Sequence, residues 1–453
     1  MASRFRLPLL AALSLSAAAA QTPAELPRAD AHGNPIRRAP TGHVSNYDES
    51  KVGAYTLPPL LVLSDGTPVA DAATWYQRRR PELLELYRRD IYGRVPATAP
   101  RVRFRVVEQG VPVLGGRAVR KIVAGHFGEG DDGPTAIVVL YLPAAAAGPV
   151  PVLLHLTFLG DPSVPASAGP RPPGPRRPGP GELGPIPDII ARGYGYAVVR
   201  YTQIEPDAPI DASRRGPDGR IDPSLRPIAG VRTLALAPGQ TQPGPDEWGT
   251  ISAWAWGASR ILDYLQTDPA VDPDRVALIG HSRLGKTVLW AGAQDPRFAL
   301  VYSSCAGEMG TSLARRDYGE TIDDMAANFP WQFAGNFQRY AGHWDDMPVD
   351  THMAIALNAP HPLFVGGGTL DQWADPHGEF LGEVAAGPVY RLVGRSDLGT
   401  ATMPPPDTPL MGGDLGFHYH TGGHAITATD WKAFLVFADK YLKAGPAAHR
   451  AAP

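Results

Sequence analysis

Apolar residues along this chain gather into short dense runs separated by polar, proline-rich connections, and the spacing within each run predicts its element. From Arg101 the segment RVRFRVV alternates, whereas TAIVVLYL (Thr135 to Leu142) and VPVLLHLTF (Val150 to Phe158) are almost continuously apolar. Alternation predicts a strand with one wet face; continuity predicts central strands buried on both faces. YAVVRY (Tyr196 to Tyr201), RVALIG (Arg275 to Gly280), ALVYSS (Ala299 to Ser304), HPLFVGG (His361 to Gly367) and PVYRLVG (Pro388 to Gly394) repeat the second pattern. Helical spacing intervenes. PELLELYRRDI (Pro81 to Ile91) sets Leu83, Leu84, Leu86, Tyr87 and Ile91 on one stripe with Pro81 in the first turn. Further helices are predicted near Ile189, over Ile251 to Gln266, from Leu284, over Pro376 to Ala385, and over Asp430 to Leu442. Such alternation calls for an α/β fold: a mostly parallel central sheet flanked by helices in a three-layer sandwich, with functional loops at the carboxyl ends of the strands.

Composition narrows the picture. The 453 residues include 50 glycines and 49 prolines, which disfavours long helical repeats and coiled coils. Much of this content lies in an extended, aperiodic stretch from Gln21 to Gly66 and in a low-complexity insertion between Asp161 and Pro187, read as a surface loop because its prolines remove backbone donors and fix φ. Arg4 and Arg6, followed by an apolar run from Leu7 to Ala20 that closes on small residues, have the layout of a secretory signal peptide and are too short to span a bilayer. The organisation expected is therefore a signal peptide at 1–20, an N-terminal segment at 21–75, a catalytic unit at 76–445 and a tail at 446–453. Localisation is expected to be secreted or periplasmic, without membrane association once the signal is removed. The formal charge of −3, or −5 after loss of Arg4 and Arg6, gives no general attraction to nucleic acid. Cys305 is the sole cysteine, so no intrachain disulfide is expected.

The most informative passage is RVALIGHSRLGK, from Arg275 to Lys286. A buried strand ends in Gly-x-Ser and a helix follows at once, which holds Ser282 in a tight turn and aims a helix N-terminus at developing negative charge. The match to G-x-S-x-G is imperfect, since Leu284 stands where glycine is expected and Gly285 comes one later. The alternative is that Ser282 simply caps the helix. A nucleophilic serine needs a base oriented by an acid, in the chain order Ser, acid, His. Among the downstream histidines His424 fits best: it follows Gly422-Gly423 and precedes the last helix. His418 and His420 alternate with Phe417 and Tyr419 and read as strand or rim residues, while His361 and His377 open a strand and a helix, where capping explains them. For the acid, Asp371 follows HPLFVGG across a short loop; Asp375 precedes Pro376 and reads as a helix cap, and Glu308 is a second candidate.

With these residues in view, SRLGK (Ser282 to Lys286), SAWAWGASRILDYL (Ser252 to Leu265), SLARRDYGET (Ser312 to Thr321), LDQWADPHGEF (Leu370 to Phe380) and GFHYHTGGHAIT (Gly416 to Thr427) together resemble the glucuronoyl esterases, family fifteen of the carbohydrate esterases, from about Tyr76 to Leu442. The resemblance implies an α/β-hydrolase, of bacterial type, that cleaves the ester between the carboxyl of (4-O-methyl-)glucuronic acid on xylan and an alcohol such as lignin. It implies no metal or organic cofactor. It assigns Ser282 as nucleophile, His424 as base and Arg283 as oxyanion stabiliser, with Lys286 and Glu320 on the uronate hydroxyls and Trp373 beside the sugar. Two departures stand out: His281 precedes the serine where many relatives carry Cys, and the catalytic Glu of fungal-type members falls on Cys305. A thiol cannot stabilise an imidazolium as a carboxylate does, so Asp371 is the expected acid and Glu308 the reserve. The expected partner is the glucuronoxylan or lignin-carbohydrate ester, met by a monomer. The rival readings are an acetyl xylan or other carbohydrate acyl esterase, a metal-dependent hydrolase using His418, His420 and His424, and a non-catalytic carbohydrate-binding module.

Overall fold

The computed structural model describes residues 29–130, 133–164, 183–207 and 230–443, so the expected signal peptide and C-terminal tail, and most of the proline-rich insertion, lie outside the described residues. Among the described residues one nine-stranded sheet organises the chain. Its strands are β1 (Val102–Val113), β2 (Ala118–Phe127), β3 (Thr135–Pro143), β4 (Val150–Thr157), β5 (Gly195–Arg200), β6 (Val271–His281), β7 (Leu300–Ser304), β8 (Leu363–Gly368) and β9 (Leu415–His420). They lie in the order β1-β2-β3-β5-β4-β6-β7-β8-β9. The first three are antiparallel, β3 meets β5 antiparallel, and from β5 onward every pairing is parallel. The parallel strands are the continuously apolar runs, as burial on both faces requires: Val152 to Leu154 and Val276 to Ile279 are fully buried.

Helices cover both faces: α1 (Arg80–Leu86), α2 (Ile186–Ala191), α3 (Thr250–Leu265), α4 (Arg283–Gln294), α5 (Ile322–Asn328), α6 (Thr351–Ala356), α7 (Pro376–Leu392) and α8 (Ala428–Leu442). One apolar cluster joins α3, α4, α6 and α7 to one face of the sheet. A second joins α2 and α8 to the other. Along the chain β4 is followed by β5 on one side and then by β6 on the other, so the strand order reverses at β4 and opens a crevice beyond the strand ends. Among the described residues no helix is long and apolar enough to cross a membrane.

Several elements differ from the pattern reading. PVYRLVG is not a strand; it is the last part of α7, which continues through Pro388 to Leu392. Phe380, Glu383, Ala386, Val389 and Tyr390 are all buried at helical spacing, and the polar Glu383 at a core position interrupts the apolar stripe that would have revealed the period. The last strand is instead β9, which carries His418 and His420. β2 was not predicted because Arg120, Lys121, Gly125 and His126 break its run; Lys121 is nonetheless buried, its Nζ 2.6 Å from Asp268. The predicted Pro81 to Ile91 helix is longer, with π-helical turns over Trp75–Arg79 and Tyr87–Ile91 flanking α1.

Candidate active site

Ser282 joins β6 to α4 with φ 59° and ψ −129°, a backbone region that costs a non-glycine residue about 1–3 kcal/mol. Its amide donates to the Ser304 carbonyl at 2.8 Å and its own carbonyl accepts from Lys286 N at 3.2 Å, so both sides of the turn are pinned. Gly280 is required by close approach: a Cβ there would lie 2.2 Å from the Leu284 carbonyl oxygen. Gly285 packs α4 against β7, since its Cβ would lie 2.9 Å from the Ser304 carbonyl oxygen. The second glycine of the elbow therefore stands one position late because helix-to-strand contact occurs there. Ser282 occupies the N-cap position but its side chain makes no capping bond.

His424 follows β9 and Asp371 follows β8. His424 Nδ1 lies 2.6 Å from Asp371 Oδ2, which leaves Nε2 as the basic nitrogen. The two loops are joined by backbone: Thr369 N donates to His420 O at 2.9 Å and Leu370 N to Gly422 O at 2.7 Å. Glu308 is buried and turned elsewhere, its Oε1 accepting from Met309 N at 2.9 Å. Burial, then the charges of Asp350 and Glu320, raise its pKa well above the usual carboxylate range. Cys305 has φ 45° and closes the floor, with burial keeping its thiol protonated. The His281 ring lies 4.4 Å from that of His424 between centroids, tilted 51° to it. Burial, then the neighbouring His424, lowers its pKa well below the usual imidazole value, so it stays neutral and adds no charge against a transient His424 imidazolium.

Arg283 opens α4, where its guanidinium Nη1 meets Asp207 Oδ2 and its Cζ lies 5.3 Å from the Phe329 ring centroid. Asp207 is itself held by Tyr201 OH at 2.9 Å and Trp331 Nε1 at 2.7 Å. Lys286 Nζ lies 3.2 Å from Glu320 Oε2, and Trp373 Nε1 donates to Glu320 Oε1 at 2.9 Å. Ser282, Arg283, Lys286, Glu320, Asp371, Trp373 and His424 all line one cavity of about 330 Å³. Several contributors to the cavity carry no signal in the sequence. Arg37 of the N-terminal segment lies over the Trp373 ring at 4.5 Å and lines the cavity with Pro35, so one face of the indole is already covered. Asp207 was missed too. Neither lies in a periodic segment, and both act through contacts distant in sequence.

The suggested histidine cluster does not converge: His418 and His420 direct Nδ1 to Asp430, at 2.6 and 3.1 Å, while His424 faces Asp371. Among the described residues the group whose potential ligand atoms lie within 4.8 Å of one another is Cys305, Asp371 and His424. Asp375 does cap α7, its Oδ1 accepting from Gly378 N at 2.9 Å, and it also pairs with Arg316.

The strand order, the elbow and the succession Ser, Asp, His along the chain are those of an α/β-hydrolase. A family model described as glucuronyl esterase, fungi, matches residues 243–394. Carbohydrate esterase MZ0003, from an unknown prokaryotic organism, is 38% identical over 418 residues, covering 88% of this chain and 93% of that protein. The structure of a glucuronoyl esterase from Solibacter usitatus is similar at TM-score 0.76 and 43% identity, covering 86% of this chain and 99% of that one. A promiscuous CE15 esterase from a marine bacterial metagenome matches at TM-score 0.76 and 37% identity, over 88% and 100% of the two chains. The chain belongs to the glucuronoyl esterases, family fifteen of the carbohydrate esterases.

Proposed function

We propose that this enzyme hydrolyses the ester between the C6 carboxyl of (4-O-methyl-)glucuronic acid side groups on xylan and an alcohol, naturally lignin, outside the cytoplasm after removal of residues 1–20. The observation that carries the reading is the single cavity in which the Ser282 elbow and the Asp371–His424 pair face the Lys286–Glu320–Trp373 group. In the first step Ser282 Oγ attacks C6 while His424 Nε2 takes its proton, and Asp371 holds the imidazole and stabilises its cation. The negative charge that develops on the carbonyl oxygen meets the first turn of α4 and the Arg283 guanidinium, which Asp207 and Phe329 keep in place. His424 returns the proton to the departing alcohol. Water, deprotonated by His424, then attacks the glucuronoyl-serine ester; as the bond to Ser282 Oγ breaks, His424 returns that proton to the serine and the uronic acid is released. Lys286 donates and Glu320 accepts, so together they bracket neighbouring sugar hydroxyls.

Glucuronate specificity is tested by kcat/KM on benzyl glucuronate, its 4-O-methyl form, benzyl galacturonate and acetyl xylan. The expected order places both glucuronates at least about tenfold above galacturonate, because one misplaced hydroxyl leaves a buried polar partner unpaired. Equal or faster deacetylation of acetyl xylan would favour the acyl esterase reading.

A further inference from the structure

Behind the catalytic loop lies a buried polar cluster to which the mechanism above gives no part. His420 ends β9 and is fully buried. Its Nδ1 faces the Asp430 carboxylate, 3.1 Å from Oδ1 and 3.0 Å from Oδ2. Its Nε2 lies 3.0 Å from the carbonyl oxygen of Gly423, the residue immediately before His424. Neither partner is suited to donate. A carbonyl oxygen only accepts, and Asp430 already accepts from His418 Nδ1 at 2.6 Å, Thr427 N at 2.7 Å and Thr427 Oγ1 at 2.7 Å. An imidazole that must donate from both nitrogens carries both protons. We infer that His420 is a buried imidazolium which positions His424, holding the Gly423 carbonyl through Nε2–H while Asp430 anchors its other side.

The surroundings agree. Burial alone would raise the Asp430 pKa, yet the bonds from His418 and His420 bring it down to about 2. Burial alone would lower that of His420, but the Asp430 bond and charge, then the Gly423 carbonyl, leave it raised. The groups facing the ring are Asp430 on α8, His418 on β9, Asp371 after β8, Asp407 before β9 and His281 at the end of β6. Gly368 completes the packing, since a Cβ there would lie 2.6 Å from Gly423 O and 2.8 Å from His420 Nε2. The His424 loop is therefore fitted around this ring. A raised value means the cation is present at low pH and is lost as pH rises through it; Nε2 or Nδ1 must then face an acceptor without a proton. The consequence is an alkaline limb in kcat that belongs to His420.

The inference rests on His424 being the base, and the experiment separates the two. Glutamine can place an amide N–H near the position of Nε2 but does not titrate; asparagine reaches only the Nδ1 position. His420→Gln is expected to keep kcat on benzyl glucuronate within about tenfold and to lose the alkaline limb. His420→Asn should lose on the order of 100-fold in kcat with little change in KM, the scale of a reacting group displaced by about 1 Å. Nitrogen-15 NMR of the wild-type ring should show both His420 nitrogens protonated at neutral pH, a readout that needs no variant to fold. A neutral His420 by NMR, an unchanged alkaline limb in His420→Gln, or equal losses in both variants would overturn this inference alone. Turnover retained in His424→Ala would instead overturn the reading beneath it.

Discussion

Asp371 and Glu308 are both buried acids placed after neighbouring strands, and their surroundings give them different work. Asp371 spends one oxygen on His424 at 2.6 Å. Glu308 is held protonated by burial and bonds the adjacent Met309 amide. Asp371→Asn should therefore lower kcat by on the order of 10³ to 10⁴, because an amide permits the wrong imidazole tautomer and does not stabilise the imidazolium. Glu308→Gln should cost less than about tenfold, and kcat on benzyl glucuronate measured for both compares them. At this scale Ser282, His424 and Asp371 were legible because their order along the chain follows the strand ends. Arg37 and Asp207 were not, since a lone arginine or aspartate in a proline-rich stretch carries no signal until the fold brings it to Trp373 or Arg283.

Among the elements, the β6–α4 elbow shows how local sequence sets the site. Gly280 and Gly285 are there for close approach, and of the two only Gly285 lies in a helix, where alanine would otherwise be favoured by about 1 kcal/mol. Its Cβ would nonetheless press a backbone oxygen at 2.9 Å, so Gly285→Ala should destabilise the fold by roughly 1–2 kcal/mol net, as overpacking does. A thermal or urea unfolding comparison reads this, and a stabilised variant would show that α4 has room to move. Parallel strands were legible as continuous apolar runs. The end of α7 was not, because a seven-residue segment, apolar but for Arg391, is too short to show its period and Glu383, buried on the same face, hides the helical one. β2 was obscured in the same way by Lys121, whose burial depends on Asp268 from the loop after α3.

Across the whole molecule, loops at the carboxyl ends of β6, β7, β8 and β9 converge on one cavity, and the N-terminal segment closes one side of it. Asn46 O accepts from Gly319 N at 2.8 Å, His43 Nε2 meets Asp317 at 2.6 Å, and Glu49 pairs with Arg316 at 2.6 Å, all beside Glu320. A segment with no periodicity thus becomes part of the cavity wall, which pattern alone could not show because its order comes from what it packs on. Every step of the proposed hydrolysis starts from Ser282 as the nucleophile. Its most direct test is the release of benzyl alcohol from benzyl glucuronate by Ser282→Ala against the wild type, with both shown to be folded. Loss of at least about 10³-fold in kcat is predicted; turnover within tenfold of the wild type would contradict it.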